Sequence, residues 1–194
     1  MINKRQKNTL FWVCAAIIAV AALAFFGKAG YDYFHHEYLV STHPIMYKEY
    51  VEENAEKNTV NKFLVFAIIK TESGYNKDAV SSAGARGLMQ LTEETFEWVK
   101  AKLGDDDTVS FDDMFDEETN IRYGTYLISF LIRYFDSEEL AVCAYHAGIG
   151  SVESWLSNEK YSDDGRTLLT VPMQDTAHYL SKINEAKTIY TSLY

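Results

Sequence analysis

Proline is nearly absent from these 194 residues: there are two, beside ten glycines. Long disordered linkers, which are rich in such residues, are therefore not expected. Cysteine is equally scarce. Cys14 lies in an N-terminal apolar run and Cys143 in a later apolar segment. With the first in a membrane the two cannot pair, so no disulfide is expected. A domain of about 150 residues can build its core without one. Positive charge is also short. Lys and Arg total 18 against 28 Asp and Glu, a net charge of −10. Within 45–194 the balance is 14 to 26, or −12. That excludes nucleic acid as a partner, because phosphate binding needs a basic surface. It also argues against docking of this part onto anionic lipid. An acidic surface in itself signals only solubility. No alternating apolar pattern is long enough for a sheet. Metal-ligand spacing is missing too. His35, His36 and His43 come without cysteines or a regular interval. The acidic stretch 104–118 does not follow the EF-hand pattern and reads as a solvated loop. No metal and no cofactor are expected.

One long hydrophobic run is present. Leu10 to Phe26 is uninterrupted and bounded by Lys7 and Lys28. About 17 residues is at the short end for crossing a bilayer and at the long end for a signal-peptide core. Ala22-Leu23-Ala24 imitates a cleavage site, but it lies inside the run and Phe25-Phe26 continue it. The reading is an uncleaved signal-anchor. The small residue expected before a lipid-modified cysteine is missing ahead of Cys14. Lys4, Arg5 and Lys7 stay in the cytoplasm by the positive-inside rule. The predicted organisation is a basic cytoplasmic tail at 1–9, a transmembrane signal-anchor at 10–27, a stalk at 28–44 and a folded domain at 45–194. The stalk either continues the membrane helix or forms a short linker. Its Tyr31, Tyr33, Phe34 and Tyr38 suit a lipid–water interface. The expected location is the cell membrane, single-pass, with the domain on the extracytoplasmic side.

The stretch Phe63 to Thr92 organises the rest. Seven apolar residues, Phe63 to Ile69, read as a helix buried all round. Glu72 follows at its end. Desolvation there raises a carboxyl pKa, and an acid kept protonated near neutral pH suits sugar chemistry. A surface glutamate just past a core helix is the plain alternative. Ser81 to Gly87 is a turn in which Gly84 and Gly87 permit positive φ or close backbone approach. Thr92 reads as an N-cap. Helical periodicity places Tyr47, Tyr50, Val51 and Ala55 on one face of a helix over 46–58. Further helices cover 118–134, 138–147, a short piece from Val152, and 175–190. A short hairpin is the one β element expected, near 161–170. The fold class is mainly α.

Glu72-Ser73, then Ser82-Ala83-Gly84-Ala85-Arg86-Gly87-Leu88-Met89-Gln90, resemble the E-S … S-x-x-G-A-x-G-L-M-Q signature of the soluble-type lytic transglycosylase domain, in the goose-type lysozyme superfamily. Asn120-Ile121, Gly124 and Tyr126-Leu127 resemble its N-I-x-x-G-x-x-Y-L block, with Tyr126 one place early. Ala144-Tyr145-His146-Ala147-Gly148 resembles A-Y-N-A-G, and Asp175-Thr176-Ala177-His178-Tyr179-Leu180 resembles E-T-x-x-Y-V. The blocks cover about residues 45 to 185 in order.

The resemblance implies a lysozyme-like multi-helix domain with a catalytic groove, here preceded by the N-terminal transmembrane helix. It implies cleavage of the MurNAc-β-1,4-GlcNAc bond of peptidoglycan strands with formation of 1,6-anhydro-MurNAc ends. Glu72 would be acid and then base, the substrate's acetamido group replacing the usual second carboxylate. Ser73 would hydrogen-bond near the site, or cap its helix. Met89 and Gln90 would line the groove, Gln90 touching the sugar; core packing is the alternative for Met89. Tyr145 and Gly148 would shape the groove wall, and Tyr179 would contact the acetamido group or Glu72. His146 departs from the family asparagine. A neutral imidazole also donates and accepts, but titrates near pH 6.5. Two rivals stay open: a muramidase using water, which would want a second carboxylate within 93–118, and a non-catalytic wall-binding scaffold. Small anchored enzymes of this kind also serve envelope machinery, so a protein partner there is compatible with the resemblance.

Overall fold

The structure is a computed structural model that describes the backbone of residues 4–105 and 108–194; the side chains of 4–10, 13–16 and 19 lie outside it as well. Among the described residues the regular structure is helical: α1 (Lys4–Thr42), α2 (Lys48–Asn58), α3 (Lys62–Ser73), α4 (Glu93–Leu103), a 3-10 turn (Phe111–Phe115), α5 (Glu117–Phe135), α6 (Glu138–Ala147), α7 (Ile149–Leu156) and α8 (Gln174–Leu193). The chain divides into two units, Met1–Pro44 and Ile45–Tyr194.

In the first unit α1 runs without a break through the predicted stalk. Phe25, Phe26, Tyr31, Tyr33, Phe34 and Tyr38 are all exposed along it. Among the described residues no helix is long and apolar enough to cross a membrane. The predicted span at 10–27 falls partly on residues whose side chains are outside the description.

In the second unit the core forms around α3. Asn61 caps it by accepting the Phe63 N–H, 2.9 Å away, and Gly74 ends it at φ 58°. Between those stops Leu64 to Ile69 are fully buried. Each of the five larger side chains, Ala67 excepted, contributes about 1.5–3 kcal/mol of burial. An apolar run with no polar face can be satisfied only by neighbours on every side. Helices α2 and α8 pack against α3, and α5 is flanked by α2, α4 and α6. Helix α5 starts on Asp116, whose carboxylate accepts the Thr119 N–H, and α6 starts on Ser137 in the same way. Short polar side chains satisfy amide donors that the first helical turn leaves open.

Two local expectations are corrected. Helix α2 begins at Lys48, after Tyr47 in the left-handed region, and buries Val51, Asn54 and Ala55, while Tyr50 is exposed. The predicted hairpin near 161–170 is a loop with one cross-link, the Leu169 N–H to the Tyr161 carbonyl at 2.8 Å. Within the acidic stretch Asp112, Asp116 and Glu118 are exposed, and two further carboxylates are held by partners. Asp105 accepts from the Arg122 guanidinium and the Tyr123 hydroxyl, and Asp113 accepts from Ser110. The ion pair and hydrogen bonds hold both carboxyls below the usual carboxylate range.

Candidate active site

The last turn of α3 carries a carboxylate, Glu72, that is only partly open to water. Glu72 sits beside Tyr179, which projects from the buried face of α8, and the Tyr179 hydroxyl donates to Glu72 Oε1 at 2.6 Å. Burial pushes the Glu72 pKa up to about 7, against a smaller downward pull from that hydrogen bond. The order of these effects is physical. Loss of hydration penalises the ionised form more than one neutral donor can repay.

Behind Glu72 the glycine-rich turn is held from three directions. Arg86 and Leu91 exchange backbone hydrogen bonds of 2.9 and 3.1 Å. Asn120 of α5 accepts the Met89 N–H at 2.8 Å and donates to the carbonyls of Arg86 (3.1 Å) and Met114 (2.8 Å). The Tyr145 hydroxyl of α6 donates to the Met89 carbonyl at 2.7 Å. Gly87 lies at φ 76°, where a Cβ would overlap the Met114 carbonyl and the Asn120 amide. Only glycine fits both the conformation and the space.

Two further side chains, His146 and Thr176, close the site. His146 stacks on the Tyr179 ring, 4.6 Å between centroids and 30° between planes. Its Nδ1 lies 3.1 Å from the Thr176 hydroxyl, one turn before Tyr179 on α8. Burial lowers its pKa, partly offset by Asp175. An open groove of about 450 Å³ adjoins them, with Tyr145, His146 and Gly148 on one wall, the start of α4 on the other and Leu127 and Leu131 of α5 between. Gly148 joins α6 to α7 at φ 84° and ψ 153°, a region open essentially to glycine alone.

The model of the Transglycosylase SLT domain matches residues 49–167. This chain belongs to the SLT transglycosylase domain family. It is 33% identical over 165 residues to the membrane-bound lytic murein transglycosylase C of Yersinia enterocolitica, covering 74% of this chain and 46% of that one. It is 26% identical over 149 residues to the soluble lytic murein transglycosylase of Salmonella typhimurium, covering 76% and 23%. The chain thus spans less than half of the curated relatives it matches. Among solved structures it is similar to an inactive mutant of the lytic transglycosylase Slt from Pseudomonas aeruginosa, with TM-score 0.70 and 28% identity over 79% of this chain and 25% of that one. The fold is also that of the 70-kDa soluble lytic transglycosylase of Escherichia coli, with TM-score 0.71, 24% identity, and 79% and 25% covered.

The SLT domain brings Glu72, Tyr145, His146 and Tyr179 together. Ser73, Met89 and Gln90 stand behind them. The Ser73 hydroxyl donates to the Ile69 and Leu88 carbonyls, tying the end of α3 to the turn. Met89 was expected in the groove. It is fully buried, and a Cβ on Gly124 would overlap its side chain, so Met89 serves the core and only its backbone bears on the site. Gln90 was expected to touch the sugar. Its Nε2 is instead committed to the Ala79 and Gly87 carbonyls at 3.0 and 2.9 Å, and Gln90 braces the turn at φ 49°. Asn120 and Thr176 had no role assigned from sequence. The signal for Thr176 was its position three residues before Tyr179, on one helical face.

Replacing Tyr179 with phenylalanine leaves the ring stack and removes the donor to Glu72. The Glu72 pKa is expected to rise above about 7. Turnover is expected to fall about ten- to a hundredfold, the scale of one hydrogen bond to a charged group. The alkaline limb of kcat/KM should move to higher pH in the Tyr179→Phe protein. An unmoved limb would show that the hydroxyl does not act on Glu72.

Proposed function

We propose that this SLT domain is a peptidoglycan lytic transglycosylase and that Glu72 is its single acid and base. The observation that carries this reading is the half-buried Glu72, its pKa raised to about 7 by desolvation and its carboxylate held by Tyr179. Glu72 gives its proton to the glycosidic oxygen between MurNAc and GlcNAc. The substrate's own acetamido oxygen stabilises the anomeric centre as that bond breaks. The ionised Glu72 then removes the proton of the muramyl C6 hydroxyl, and that oxygen bonds to C1 and closes a 1,6-anhydro ring. Glu72 ends protonated, ready for another cycle. The similarity to Slt of Pseudomonas aeruginosa supports the reading, since that protein is inactive as a glutamate-to-glutamine mutant.

Tyr145, His146, Gly148 and Tyr179 shape and contact the bound strand. Segment 10–27 anchors the chain in the cell membrane, with 45–194 outside, where peptidoglycan lies. The membrane-bound lytic murein transglycosylase C relatives are consistent with that placement. One observation favours the muramidase alternative: Glu94, an exposed carboxylate, lines the adjoining groove. Mass spectrometry of muropeptides released by the full chain decides between them. Anhydro-muramyl ends support the transglycosylase. Reducing ends, heavier by one water, would replace it with hydrolysis.

His146 gives a pH prediction. Its lowered pKa means that the neutral imidazole is the form the fold favours. Its contribution to stability is present above the unfolded value of 6.5 and is lost as pH falls through the lower folded value. Protonation places a cation on the ring that holds Glu72. His146→Asn is expected to remove one titration from the acidic limb of kcat/KM. An acidic limb identical in both proteins would count against this role.

A further inference from the structure

Thr176 is fully buried in the first turn of α8. A threonine hydroxyl in a helix usually bonds to the backbone of its own turn. This one reaches across to α6 and meets Nδ1 of His146 at 3.1 Å, its only hydrogen-bond partner among the described residues. The same imidazole is stacked on Tyr179, one turn along α8. A single helix therefore holds the ring twice, by its edge at Thr176 and by its face at Tyr179. Tyr179 in turn donates to Glu72.

The direction of the Thr176–His146 bond follows from burial. Were Nδ1 to carry a proton and donate it, the Thr176 hydroxyl hydrogen would face a closed core with no acceptor. The hydroxyl therefore donates and Nδ1 accepts. The neutral ring, which desolvation favours, then carries its proton on Nε2. No neighbouring polar group competes for Nδ1. The Tyr145 hydroxyl is spent on the Met89 carbonyl and the Tyr179 hydroxyl on Glu72. Asp175 on α8 and Glu94 across the groove are exposed carboxylates, which accept and do not donate. An asparagine amide keeps its donor and acceptor on separate atoms. An imidazole exchanges them between two nitrogens unless a partner fixes one.

We infer that Thr176 is a positioning residue for the reaction: it fixes His146 in the neutral tautomer protonated on Nε2, so that the groove wall beside Glu72 carries a donor of one defined kind. Its bearing on catalysis rests on the functional reading above. Thr176 acts only through His146, which is exposed and lines the groove, while Thr176 itself is shut away from it.

The test is NMR of the imidazole nitrogens in the full chain at about pH 8, above the ordinary histidine value of 6.5, with H146A identifying the His146 signals by their loss. The parent is expected to show Nδ1 unprotonated and Nε2 protonated. In T176V the two nitrogen shifts should move toward each other as the tautomers exchange, and T176S should keep them apart. Alongside, T176V should lower kcat/KM for release of anhydro-muropeptides about two- to tenfold, the scale of one neutral hydrogen bond. In the H146A background the same substitution should cost nothing further. A Thr176 that served only the packing of α8 would cost the same in both backgrounds, and that equality would overturn the inference. So would a parent His146 with its proton on Nδ1, or a T176V spectrum identical to the parent's. If the parent chain released reducing ends or no product, the functional reading would fall, while the spectra would still show whether Thr176 fixes the tautomer.

Discussion

Replacing Glu72 with glutamine is expected to reduce release of muropeptides by about 10²–10⁴-fold, the usual contribution of a general acid–base group. The amide has the size of the carboxyl but neither gives up a proton to the leaving oxygen nor takes one from the C6 hydroxyl. The same substitution should separate chemistry from stability. The Glu72 pKa is raised by burial from 4.5 to about 7. The folded state therefore favours the neutral form. That contribution is fully present below pH 4.5 and is lost as pH rises through about 7. Up to about 3 kcal/mol is at stake by linkage. Glu72→Gln keeps a neutral group at every pH. Its melting temperature should match the parent near pH 4, exceed it by a margin that grows from about pH 5 to about pH 7, and keep that margin unchanged above about pH 8. An inactive variant with this pattern places Glu72 in the chemistry. Equal melting temperatures at all pH values would mean that Glu72 is solvated, and the account of its proton affinity would fail.

The second large effect concerns a residue that touches no substrate. Asn120 is fully buried and makes three hydrogen bonds to main-chain groups of two separate segments. Asn120→Ala leaves the Met89 N–H and the Arg86 and Met114 carbonyls without this partner. Each unsatisfied buried group costs about 1–3 kcal/mol. The expected loss is about 3–5 kcal/mol by chemical denaturation, a large part of a domain's stability. Aspartate does not rescue it, because it accepts from Met89 but offers no donor to the two carbonyls. The turn also carries the Met89 carbonyl that receives the Tyr145 hydroxyl. Activity of any folded Asn120→Ala protein should therefore fall as well. A loss below about 1 kcal/mol, the ordinary effect of a surface substitution, would show that the turn is held by its own backbone bridges.

Much of this was legible in the residues themselves. The run Phe63 to Ile69 has no polar face, so a buried helix was the available outcome, while Glu72 at its end could still have been a surface glutamate. Thr92 before a helical pattern, and Gly148 after one, mark ends whose causes are local: a side-chain acceptor at the first and a backbone conformation without a Cβ at the second. What the sequence could not decide was partnership across distance. Tyr179 lies 107 residues from Glu72 and Tyr145 lies 56 from Met89. Residue type alone made Gln90 as good a sugar ligand as a turn brace, and Met89 as good a groove wall as core. Packing bears on both: Gly124 leaves room for the buried Met89 side chain, and Gln90, with a left-handed backbone, donates its amide N–H groups to the Ala79 and Gly87 carbonyls. The sequence by itself determined the main helices and the cap at Thr92, because those follow from neighbours within a turn or two. Only the tertiary structure decided which hydroxyl holds the acid, which ring stacks on it and which asparagine closes the turn. Those depend on segments brought together by burial, a force without direction that fixes contacts only when the whole core is assembled.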